Sequence, residues 1–160
     1  KEIEQARQAI ETARASGGPQ YATDEFAAAE GALKRSQAAV VARDYRQALN
    51  DALDARDRAQ TAAKDAADRK TVARTDVDRQ LHDAALAIID ARAKLRTAEA
   101  ARRPRALLVS VRREIADAEM HVQEARTLFE KGEYLDAGKL LLKTTVSLND
   151  RVGKLRLLTR

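Results

Sequence analysis

Apolar residues recur along this chain at intervals of three and four, the spacing that gathers side chains on one face of an α-helix. Ile3, Ala6, Ile10 and Ala13 mark a first face, which stops at Gly17, Gly18 and Pro19. A second face runs Phe26, Ala29, Leu33, Val40. Thr23 is placed to cap it, and Asp24 and Glu25 fall in its first turn, where negative charge complements the helix dipole. After a break at Arg43 and Asp44 a third face runs Tyr45, Ala48, Ala52, Ala55, Ala59, Ala62, Ala66. It weakens over 68–76 and resumes at Val77, Leu81, Ala84, Ile88, Ala91, Leu95, Ala98. Nothing between is Gly or Pro, so the spacing allows one helix of more than 50 residues, about 80 Å long at 1.5 Å per residue. Beyond Arg102, Arg103 and Pro104, a coiled-coil-like heptad runs Leu108, Val111, Ile115, Ala118, Val122, Ala125, Phe129 and ends at Lys131 and Gly132. Tyr134, Ala137, Leu141, Leu148, Val152 and Leu155 mark the last helix.

The pattern recurs within the chain. At an offset of 89, Phe26, Ala29, Leu33, Val40, Tyr45 and Ala48 fall on Ile115, Ala118, Val122, Phe129, Tyr134 and Ala137. At an offset of 85, Ile3, Ala6, Ile10, Ala13 and Pro19 fall on Ile88, Ala91, Leu95, Ala98 and Pro104. The predicted fold is therefore all-α: two tandem antiparallel three-helix units, 1–72 and 73–160, sharing a long central helix in an elongated molecule. Residues 1–75 hold 11 large apolar side chains and residues 76–160 hold 26, so the first unit is Ala-packed and the second richer in Leu and Val. Ala faces allow close helix approach but bury little area each, which makes the second unit the more stable. The first helix is also short beside its counterpart, which begins near Val77: either a turn or two lies upstream of this sequence, or part of the third helix's Ala face is open to a partner helix or a second copy.

Composition then narrows the chemistry. The 160 residues include 34 Ala, no Cys and two His, which removes thiol nucleophiles, disulfides and Cys-based metal sites. No apolar run approaches the roughly 18 residues of a membrane span. His82 and His121 each follow an Asp by four residues, Asp78 and Asp117, the geometry of a helix-surface pair, with no third ligand to complete a metal site. Carboxylates alternate with Arg and Lys as on solvated faces, and no Gly-rich phosphate loop occurs. No catalytic, cofactor-binding or metal-ligating residue is predicted, and the chain reads as a non-enzyme without a cofactor.

Charge carries the one binding candidate. The net charge is +5. Residues 1–75 hold 13 basic and 12 acidic side chains against 17 and 13 in residues 76–160, so most of the excess lies in the second unit. Arg102, Arg103 and Arg105 occupy one connection, and Arg151, Lys154, Arg156 and Arg160 close the chain. Helices running up, down and up put that connection and the C-terminus at one end, a cluster suited to weak contact with an anionic partner. Nucleic acid is disfavoured, because no aromatic residue is interleaved with these cations. At the two tight turns, Tyr45 with Ala48 and Tyr134 with Ala137 read as structural. The ring packs on the preceding helix, the hydroxyl stays wet, and the Ala leaves room for the ring.

Ala9, Ile10, Ala13 and Gly17, then Gln20 to Phe26 with Ala29, then Arg43, Asp44, Tyr45, Ala48, Ala52 and Ala55, resemble an uncharacterised helical domain-of-unknown-function family of proteobacterial envelope lipoproteins. Family members read Tyr-Ala-Pro-Asp/Glu-Leu and Gly-Asp-Tyr-x-x-Ala; here Thr23 stands for the Pro, Phe26 for the Leu and Arg43 for the Gly. The match covers residues 1 to about 70. The second unit keeps only Gly132, Glu133, Tyr134 and Ala137. The resemblance implies a periplasmic location, with lipid anchoring through an upstream segment that this sequence does not contain, and it implies no activity. The Gly-Glu-Tyr-x-x-Ala turn is also similar to tetratricopeptide repeats, but their 34-residue period is absent. The expected role is a non-catalytic interaction or spacer module of the bacterial envelope, meeting a protein partner or itself through helix faces. The alternative is a cytoplasmic repeat-type adaptor or anion-binding protein that uses the basic end.

Overall fold

The computed structural model describes the backbone of residues 1–157 and the side chains of residues 1–155. Six helices follow one another: α1 (Glu2–Ala15), α2 (Gly18–Tyr21), α3 (Thr23–Val41), α4 (Tyr45–Ala100), α5 (Arg105–Glu130) and α6 (Tyr134–Leu157), with no strand among the described residues. The fold is all-α. Residues 68–76, where the apolar pattern fades, are helical within α4. No Gly or Pro breaks the helix there, and Arg69 donates to the Tyr21 carbonyl at 2.8 Å in unit 1 while Arg74 stacks on Phe129 in unit 2.

Packing divides the chain into unit 1, Lys1–Val72, and unit 2, Ala73–Arg160. In unit 1, α3 lies antiparallel to the first part of α4: Ser36 bonds Ala48, and Arg58 reaches back 3.3 Å to Glu25. Ala6, Ala32 and Ala55 meet where α1, α3 and α4 come together. Among the described residues, the buried apolar side chains of unit 1 are Ala apart from Ile10, Tyr21 and Phe26, and Ser36 and Asp51 are buried with them. In unit 2 the ion pairs Arg92 to Glu119 and Arg112 to Glu99 set α4 antiparallel to α5, and α6 returns along α5. Its core buries Leu95, Val111, Ile115, Leu141 and Leu148 among others. A fully buried large aliphatic side chain contributes about 1.5–3 kcal/mol, several times an Ala methyl, so unit 2 carries the denser store of hydrophobic stabilisation.

Two local expectations are corrected. Gly17 does end α1, with φ at 91°, but Gly18, Pro19, Gln20 and Tyr21 form an extra helical turn, α2. Pro tolerates the first turn of a helix because its missing amide would be unpaired there anyway. Thr23 is not a cap. It is the first residue of α3, and its hydroxyl donates to the Pro19 carbonyl at 3.4 Å. The N-cap position is held by Ala22, whose methyl accepts no hydrogen bond, so no side-chain cap is made.

The turns repeat at constant offsets. Positive φ occurs, among the described residues, at Gly17 (91°), Arg43 (64°), Arg102 (50°) and Gly132 (80°). Arg43 and Gly132 lie 89 residues apart, and Asp44 N–H to Ala39 O recurs as Glu133 N–H to Leu128 O, both at 2.9 Å. Gly17 and Arg102 lie 85 apart, with Gly17 N–H to Arg14 O matched by Arg102 N–H to Glu99 O, both at 3.0 Å. These are left-handed C-caps, in which one residue of positive φ turns the chain and satisfies the last carbonyls of a helix.

Candidate functional site

The α4–α5 connection and the last turns of α6 meet at one end of unit 2. Arg103, in the α4–α5 connection, lines a cleft of about 440 Å³ with Leu155 near the end of α6, beside Ala93, Lys94, Thr97 and Ala98. Arg102 is exposed and holds the left-handed turn, and Arg105 is exposed as the first residue of α5. Arg102 lies at the carbonyl end of α4, where the helix dipole favours a cation, whereas Arg105 opens α5, where the dipole opposes one.

The cluster is partly neutralised by acids that a count along the chain does not place there. Arg151 lies 3.8 Å from Glu114 of α5, and Lys154 lies 2.9 Å from Asp150. The hydrogen bond and charge of Lys154, aided by Arg151, hold the Asp150 carboxyl below its ordinary pKa. Side by side in sequence, Asp150 and Arg151 are 100° apart on the helix, so each meets a different neighbour. The side chains of Arg156 and Arg160 lie outside the described residues.

The two turn tyrosines part company. Tyr134 opens α6 and meets Phe129 edge to face, with ring centroids 5.3 Å apart, as expected. Tyr45 opens α4 but stays 67% exposed, a correction to the packing role expected for it. The preceding helix offers it Val40 where unit 2 offers Phe129. Ala48 and Ala137 are buried beneath both turns.

The remaining candidates resolve into local pairings. His121 Nδ1 lies 3.2 Å from Thr144 Oγ1, and that hydroxyl donates to the Leu140 carbonyl at 2.8 Å. With the hydroxyl proton so used, the histidine N–H is the donor. His82 is exposed, and no group of three or more His, Cys, Asp or Glu able to hold a metal occurs among the described residues. A broad cleft of about 800 Å³ between α1 and α3 is crossed by the Arg14 to Glu30 pair at 2.8 Å and edged by charges of both signs.

Sequence reasoning missed the large apolar side chains that face outward. Val41 is 85% exposed, and Leu86, Ile89, Met120, Leu142 and Val146 are all more than half exposed. The doublets Ile88-Ile89 and Leu141-Leu142 were the available signal, since neighbours on a helix point 100° apart and only one of each pair can face the core. No helix among the described residues is long and apolar enough to cross a membrane. A family model described as Domain of unknown function (DUF4398) matches residues 1–78, all of unit 1 and the first six residues of unit 2. No curated protein and no solved structure matches the chain.

Proposed function

We propose that this protein is a non-catalytic interaction or spacer module of the bacterial cell envelope, periplasmic and built as an internal repeat of a three-helix unit. The observation that carries the interaction reading is the set of outward-facing large side chains, Val41, Met120, Leu142 and Val146 among them, on helices whose cores are already filled. Contiguous apolar patches mark surfaces that meet other molecules, and the exposed pairs Leu86 with Ile89 and Leu142 with Val146, three and four residues apart, each share one helix face. The envelope assignment, including lipid anchoring, rests on the resemblance of the Tyr21 and Tyr45 segments, which lie within the matched span 1–78. Fractionation of the native host tests location: recovery in the spheroplast release or in the membrane fraction supports the envelope, and recovery in the cytosol overturns it. A photocrosslinker at position 120 tests interaction, with an adduct lost in Leu86→Asp/Ile89→Asp expected and no adduct at 120, 142 or 146 overturning it.

The exposed Arg102 and Arg105 favour a second reading, weak binding of an anionic surface at the basic end. Cosedimentation with phosphatidylglycerol vesicles should then fall on raising salt and in Arg102→Ser/Arg105→Ser. Binding that ignores both removes the reading.

A further inference from the structure

Charge and apolarity are sorted along the outward face of α4 in unit 2. Asp78, His82, Leu86, Ile89, Ala93 and Arg96 recur at intervals of three and four, so they form one stripe, and all six are exposed. Its middle is apolar, with Leu86 51% and Ile89 63% exposed, and it starts on an acid and ends on a base. The helix around it follows the same order. Residues 76–90 carry Asp76, Asp78, Asp83 and Asp90 against Arg79, and residues 91–105 carry six Lys or Arg against Glu99. Unit 2 pairs only part of this charge internally. Arg79 is taken by Asp76, Asp90 by Lys94 and Glu99 by Arg112, whereas Asp78 and Arg96 join no ion pair among the described residues. The fold of a unit does not require such a stripe, since the residues of α1 that stand 85 positions before Leu86, Ile89, Ala93 and Arg96 are Lys1, Glu4, Gln8 and Glu11.

Turned end for end, the stripe complements itself. Leu86 exchanges with Ile89, His82 with Ala93 and Asp78 with Arg96, all about one midpoint near Ala87. Asp78 and Arg96 are 18 residues apart, about five turns, so they project from the same side of α4, and a two-fold axis across the helix keeps them on one side of the joint. We propose that α4 of unit 2 pairs antiparallel with α4 of a second copy of this chain, Leu86 against Ile89 and Asp78 against Arg96, each contact made twice by symmetry. The inference rests on the reading of the protein as an interaction module and names its partner as the chain itself. A second copy already carries the order of charge that this face complements, acid half against basic half.

The test is sedimentation equilibrium of the full chain at concentrations up to about 1 mM. Expected is a monomer–dimer equilibrium whose Kd rises about tenfold or more in Leu86→Asp/Ile89→Asp. Asp78→Arg and Arg96→Asp should each weaken the dimer about threefold or more. Asp78→Arg/Arg96→Asp together should bring it back, because the reversed charges face each other again across the joint. All four positions are exposed, so each variant should keep its fold, which circular dichroism checks. A monomer throughout, a dimer indifferent to Leu86→Asp/Ile89→Asp, or a double charge reversal as weak as the single ones overturns the proposal. Each of these leaves the interaction-module reading standing where the crosslink at position 120 forms, because that adduct reports any neighbour and not only a second copy.

Discussion

Ser36 donates its hydroxyl to the Ala48 carbonyl at 2.7 Å, across the α3–α4 interface, with both residues buried. The bond is the polar counterpart of an apolar contact in unit 2, where the residue 89 positions on is the buried Ala125. Ser36→Ala should therefore be tolerated at a cost of about 0.5–1.5 kcal/mol, because the Ala48 carbonyl also sits in the α4 helix ladder and is not orphaned. Ser36→Val overfills a close helix contact and should cost more, about 1–3 kcal/mol. Urea unfolding followed by circular dichroism gives the order, and equal costs would show that the interface relaxes freely.

The turn pair at Arg43 and Gly132 gives a test of opposite sign. Arg43 adopts φ 64° where Gly132 adopts 80°. A non-Gly residue in the left-handed region costs about 1–2 kcal/mol, and Gly pays little there. Arg43→Gly should stabilise unit 1 by up to about 1 kcal/mol, and Gly132→Ala should destabilise unit 2 by a similar amount. Thermal unfolding of both variants checks it; a loss on Arg43→Gly would mean that the arginine side chain contributes more than its backbone strain.

Glycines inside helices separate by space rather than by φ. A Cβ on Gly18 would lie 2.8 Å from both the Ala13 carbonyl oxygen and the Phe26 ring, whereas one on Gly31 meets only the far end of Arg35 at 3.8 Å. Gly18→Ala should cost about 1–3 kcal/mol through displacement of backbone, and Gly31→Ala should gain about 0.5–1 kcal/mol from helix propensity. Opposite shifts in melting temperature are expected, and a neutral Gly18→Ala would show that the α1–α2 turn yields.

The helices were legible because the period of three and four survives even where Ala is the only apolar residue on the buried face, as from Ala48 to Ala66. The α2 turn was not, because Gly17, Gly18 and Pro19 signal a stop equally well whether the chain then loops or starts a new turn on Pro. Thr23 shows the same ambiguity, since a threonine at a helix start caps only if no preceding turn already supplies the carbonyls and amides. Arg103 and Leu155 line one cleft at the end of unit 2, but the approach of Arg151 to Glu114 depends on which faces of α5 and α6 meet, which spacing along one helix does not reveal. Tyr45 and Tyr134 share a motif and differ in what precedes it, since Phe129 meets the Tyr134 ring where the smaller Val40 stands before Tyr45.

Core asymmetry predicts where damage is felt. Leu141 is fully buried in unit 2, and truncation to Ala leaves a cavity in a core that cannot fully close, at about 2–5 kcal/mol. Unit 1 relies on residues such as Ala59 and Ala62, which have no side chain to lose beyond a methyl. Hydrogen exchange should accordingly show weaker protection for α1 and α3 than for α5 and α6, with Leu141→Ala accelerating exchange in α5 and α6. Stronger protection in α1 than in α5 would reverse the ranking of the two cores.

The pair of Asp150 and Lys154 at the basic end sets a pH dependence whose sign follows from its direction. Lys154 first, through its hydrogen bond and charge, and Arg151 second lower the Asp150 pKa in the folded chain. A carboxyl lowered on folding contributes stability that is fully present above its unfolded pKa and is lost as pH falls through the folded one. Both side chains are solvent-accessible, so the contribution is small and screened by salt. Carboxyl-carbon NMR should find the Asp150 midpoint below that of an ordinary aspartate, moving up in Lys154→Met and on adding salt. A midpoint unchanged by Lys154→Met would mean that the pair does not persist in solution, leaving Lys154 available to an external anion at the same end as Arg102 and Arg105.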